Sequence, residues 1–130
     1  MYKRDLITSE IQKLAEVLSR IMGLKKDGEL DAADTLFKQT CEEKFGITED
    51  VLVDINLKSF KETLVNRNHP PEILNSLTNF LYFYLLNTAE EASKPVIAAK
   101  LQYVYQVLEF DHHTVSLENM SRQEVLKKYL

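Results

Sequence analysis

Cysteine is nearly absent from this chain. The single one, Cys41, can form no intrachain disulfide, so the fold is held by burial alone and suits a reducing compartment. Glycine and proline are also scarce, at three each, which leaves little turn punctuation. Three scattered glycines cannot build a glycine-rich phosphate loop. No Gly-x-Ser-x-Gly elbow, no Cys-x-x-Cys and no His-x-x-x-His occurs. The enzyme classes recognised by short motifs are therefore missing. Positive charge is short too: 16 Lys plus Arg against 20 Asp plus Glu give a net charge of -4. A general nucleic-acid binder carries a basic surface that displaces counterions. Lys25-Lys26 and Lys127-Lys128 are small basic spots near predicted helix C-termini, where cations complement the helix dipole. The longest apolar run, Phe80 to Leu86, is too short to cross a bilayer. The N-terminal residues lead into an amphipathic pattern containing Glu10 and Glu16, unlike the unbroken apolar core of a secretory signal. These absences predict a cytoplasmic protein without a membrane or nucleic-acid partner.

What is present is helical spacing. No stretch alternates with period two over a useful length, so the chain reads as all-α. Its 130 residues predict one domain spanning 1–130, large enough to hold a core without metal or disulfide. Ile7, Ile11, Leu14, Leu18 and Ile21 mark a first helix over 5–26, with Ala15 and Met22 widening its stripe. Asp27-Gly28 ends it. A second helix over 29–45 would bury Leu30, Ala33, Phe37 and Cys41, with Phe45 at its end and Gly46 as its stop. The short link makes the two an antiparallel hairpin.

Thr48 is a predicted N-cap for one or two turns over 51–55, although Val51-Leu52-Val53 alone also fits a strand. Leu57, Phe60 and Leu64 mark a third helix. Pro70-Pro71 opens a fourth, over 71–87, that is apolar nearly all round in its second half. A fifth begins with Ser93 as N-cap and Pro95 in the first turn, and runs to Phe110. Its stripe reads Val96, Ala99, Tyr103, Val107 and Phe110, with Leu101, Val104 and Leu108 adjacent. Residues 111–120 read as loop, and Ser121-Arg122-Gln123-Glu124 as the capping box of a last short helix. The expected architecture is an antiparallel array of five to six helices.

Gly28, Leu30, Ala33, Phe37 and Thr40 have the offsets of the second helix of a tetratricopeptide repeat, so the first hairpin resembles that repeat. Ile21 departs from it, standing where the repeat places a small residue, and no second copy follows about 34 residues on. The whole chain also resembles an uncharacterised bacterial family of small helical proteins, known only as a domain of unknown function. Ile11 to Gly46 carries that resemblance, above all Gly23 to Ala33, with a looser match over Ala98 to Leu108 and Thr114 to Leu117. It implies an α-helical fold and a bacterial source, and no activity or site residues.

Asp111-His112-His113 is the one polar cluster with metal-ligand chemistry. Adjacent side chains point apart, and His69 lies in a distant loop, so the cluster reads as solvated loop and no metal is expected. Cys41 falls on the inward stripe of its helix and reads as a small core hydrophobe. Glu42-Glu43 and Glu90-Glu91 read as solvated helix ends. The aromatic band Phe80, Tyr82, Phe83, Tyr84, Tyr103 and Tyr105 reads mainly as core between the fourth and fifth helices. Tyr82 and Tyr105 lie off the main stripes and are the candidates for a partner-binding surface. The expected function is a non-enzymatic protein-interaction module, using another protein or a second copy of itself, without a cofactor. The alternative is a small-molecule-binding or catalytic bundle with a pocket lined by the tyrosines and His112 or His113.

Overall fold

The computed structural model describes residues 2–130. Its helices are α1 (Tyr2–Lys26), α2 (Leu30–Thr40), α3 (Glu49–Val53), α4 (Lys58–Arg67), α5 (Pro71–Asn87), α6 (Ser93–Phe110) and α7 (Leu117–Leu126). No strand occurs among the described residues, so the all-α expectation holds. Helix α1 packs on α2 and α5, α5 on α6, and α6 in turn on α7 and α3.

Glycine sets the first reversal. Gly28 sits at φ 81°, its N–H donates to the Lys25 carbonyl at 3.1 Å, and the Glu29 N–H reaches back to the Leu24 carbonyl at 2.9 Å. That paired closure satisfies two of the carbonyls a helix end leaves open. The second helix ends differently from the expected straight run to Phe45. Cys41–Phe45 forms a π-helical turn continuing α2. Gly46, at φ 74°, follows, and the Ile47 N–H bonds the Cys41 carbonyl, one residue further back than in an ordinary closure of this kind. The wider turn lets Cys41, Phe45 and Ile47 all enter the core.

Thr48 caps α3 as expected, its hydroxyl accepting from the Val51 N–H. The stretch at 51–55 is therefore helical to Val53, and not a strand. Pro70 and Pro71 open α5 as expected. Pro95 lies in the first turn of α6, but Ser93 is the first helical residue rather than the cap, and its hydroxyl donates to Glu90 Oε2 at 2.9 Å. Helix α7 starts earlier than the Ser121 capping box suggested. Ser116 caps it, accepting from the Asn119 N–H at 3.0 Å in extended backbone. Once Ser116 has nucleated the helix, Ser121 falls in its interior.

Three stripes are corrected. In α1, Leu14 and Ile21 are buried while Ala15 and Met22 are exposed, because α2 and α5 are its main neighbours. In α2, Leu30 was expected inside and is 57% exposed. In α6 the core face is Ile97, Ala98, Leu101, Val104, Tyr105 and Leu108. Val96, Ala99, Tyr103 and Val107 are only half-buried, and Phe110 is exposed. Helix α6 is covered from three sides, so its buried face rotates toward α5 and α7. On the third side Lys100 is wholly buried, and its Nζ donates to the Asp54 carbonyl at the C-terminal end of α3. Burial pulls its pKa below the ordinary lysine value.

Candidate functional site

The aromatic band divides by depth. Phe80 lies at the centre, edge-on to Phe45 at 5.4 Å between ring centroids. Tyr105, expected at the surface, is 2% exposed. It points from α6 toward α5 and α7, and its hydroxyl has no hydrogen-bond partner. Thr78 and Arg122 stand close enough to its hydroxyl to offset part of the pKa rise that burial causes, yet neither meets full hydrogen-bond geometry. Tyr82 is half-buried beneath the Arg122 guanidinium, 4.6 Å from its ring. Arg122 also donates to Asn79 Oδ1 at 2.6 Å and pairs with Glu118 at 3.0 Å. Tyr105 is thus enclosed between α5, α6 and α7, whereas Tyr82 keeps part of its ring at the surface. For Tyr105 the off-stripe position is the face that a third helix covers.

The open part of the band is at Tyr84. Its ring stacks on Phe37 at 4.9 Å and 25°. Together with Ile21 they floor a groove of about 340 Å³ between α2 and the C-terminal half of α5. Exposed Leu30 stands at its rim with Lys25, Asp34, Lys38 and Glu90. The charges are balanced and the two cations are already engaged. Lys25 Nζ donates to the Asn87 carbonyl. Lys38 lies 2.9 Å from both Asp34 and Glu49, which hold its pKa above the usual lysine value. Burial raises the Tyr84 pKa, so its phenol stays neutral. The groove therefore offers an apolar floor with both rim cations engaged. The sequence showed Leu30 and Phe37 only as buried positions; the mismatch between a large apolar residue and the first turn of a helix was the available signal.

Cys41 is buried as expected, and burial pushes its thiol up to about 12. At neutral pH it carries no thiolate and is inert. Among the described residues no three His, Cys, Asp or Glu side chains are placed to share a metal ion. His113 is exposed at φ 53°. His112 turns the other way and lines a second cleft, of about 180 Å³, together with Asp111, Tyr103 and His69. The distant loop position expected for His69 is thus corrected: the fold brings it beside the Asp111-His112 corner. No helix is long and apolar enough to cross a membrane among the described residues.

No known family, no curated protein and no solved structure matches this chain.

Proposed function

We propose that the chain is a non-enzymatic protein–protein interaction module of helical-hairpin type, tetratricopeptide-like in its first hairpin and working in the cytoplasm. The groove between α2 and α5 is its docking surface. One observation carries the reading: Leu30, more than half exposed, stands over a cavity floored by the Phe37–Tyr84 stack, and the two rim cations are already held within the protein, Lys38 by Asp34 and Lys25 by the Asn87 carbonyl. Apolar lining with a few fixed polar groups is what a partner's apolar side chain requires. Balanced charge at the rim adds no preference for a strongly charged partner. The partner is another protein or a second copy of this chain.

The test is a photo-crosslinking amino acid at Leu30, with the same group at exposed Val65 on α4 as control. Light scattering reports the oligomeric state in parallel. The expected result is one adduct formed from Leu30 and not from Val65, and reduced by Phe37→Ala. A monomer that gives no Leu30-specific adduct in the cell overturns the proposal.

A further inference from the structure

The second cleft lies where the C-terminal ends of α4 and α6 meet. Leu64, Leu74 and Val107 give it an apolar wall. Its polar groups have unspent capacity: the side chains of Asn68, Asp111 and His112 make no hydrogen bond or ion pair among the described residues. His69 is bonded at one nitrogen only, Nε2, 3.2 Å from the Phe45 carbonyl oxygen. A carbonyl can only accept, so Nε2 carries the proton and the neutral ring leaves Nδ1 as an acceptor. Burial holds the His69 pKa below its usual value, which keeps the ring in that form.

Asp111 is the only Asp, Glu, Lys or Arg that lines the cleft. Helix α4 ends at Arg67 and α6 at Phe110, and each C-terminus carries the equivalent of about half a negative charge. The Asp111 carboxylate adds a full one. Two exposed cations oppose it from the edge: Lys61 lies 5.0 Å over the Tyr103 ring, and Arg67, in the last turn of α4, stands beside His69 and helps to lower its pKa. Neither lines the cavity. Its volume holds about six water-sized units. We infer that this cleft binds a small organic ammonium ion with a short apolar tail, the ammonium held by Asp111 and the two helix ends and the tail against Leu64, Leu74 and Val107.

The test is titration of butylammonium into isotope-labelled protein, followed by amide resonances. Butyrate and butanol at the same concentration and ionic strength are the controls. The expected result is saturable shifts at Asn68, His69, Asp111 and His112 with butylammonium alone. Asp111→Asn, at an exposed position, weakens binding at least about tenfold. Val107→Phe fills the cavity with every charge kept, and abolishes binding. Leu30→Glu, in the other groove, leaves it unchanged, so the two sites stand or fall separately. Shifts that never saturate, an equal response to butanol or butyrate, or an unchanged dissociation constant in Asp111→Asn each overturn the inference.

Discussion

Tyr105→Phe should stabilise this protein, contrary to the usual effect of trimming a buried tyrosine. The side chain is 2% exposed and its hydroxyl has no partner. An unsatisfied buried hydroxyl costs about 1–3 kcal/mol, because folding strips its water and returns nothing. Its neighbours do not depend on it. Thr78 Oγ1 donates to the Asn75 carbonyl at 2.6 Å, and Arg122 is held by Asn79 and Glu118. Phenylalanine keeps the ring in place and removes one oxygen, so the cavity left is small. A gain of about 1 kcal/mol is expected, after a small loss of dispersion contacts. In urea this moves the unfolding midpoint up by about 0.5 M with the slope unchanged. A second signature lies at high pH. Burial raises the Tyr105 pKa, so the unfolded chain ionises first and stability falls as pH climbs above about 10. The variant should lose part of that fall. A destabilisation of about 1 kcal/mol or more would refute the reasoning, since it requires the hydroxyl to be well bonded in solution.

Four further outcomes follow from the geometry. Gly46→Ala forces a Cβ at φ 74° to within 2.8 Å of Arg67 Nε, and should cost about 1–2 kcal/mol by thermal unfolding. Gly23→Ala, inside α1 with nothing within 4 Å, should instead gain about 0.5–1 kcal/mol. The Cys41 thiol, wholly buried, should react with a disulfide reagent only at the rate of opening, and its labelling should accelerate in step with urea. His69 is held below its ordinary pKa, so the unfolded state takes up the proton first. Stability should drop as pH falls from about 6.5 toward the lower native value, by at most about 1.4 kcal/mol per unit. In His69→Asn that slope should flatten.

Much of the fold was legible because its signals are local. Gly28 and Gly46 as stops, Thr48 as cap and Pro71 as first residue each act within one turn of chain, and each was placed from sequence. The π-helical turn at Cys41–Phe45 was not, since nothing in its composition marks an extra residue per turn. Burial was less legible still. The periodic stripe of α6 and its buried face differ, because a periodic pattern says that a face is apolar and not how many neighbours cover it. Lys100 is illegible for the same reason: a lone lysine in an amphipathic helix reads as solvent-facing until a third element supplies a carbonyl.

The candidate sites moved for a related physical cause. Tyr105 reads in the sequence as surplus apolar surface, and the fold spends that surplus on docking α7. What stays unspent lies at helix ends. Helix bodies satisfy their own backbone and bury their stripes against neighbours, whereas ends leave carbonyls open and bring together side chains far apart in sequence. The groove pairs the first turn of α2 with the last turns of α5, and the second cleft joins the ends of α4 and α6. Neither pairing is visible as a motif, because each is written across more than forty residues of chain. The two sites have no lining residue in common, so the effects of Leu30→Glu and Asp111→Asn should add. A non-additive double variant would mean that α5 and α6 transmit strain from one end of the fold to the other.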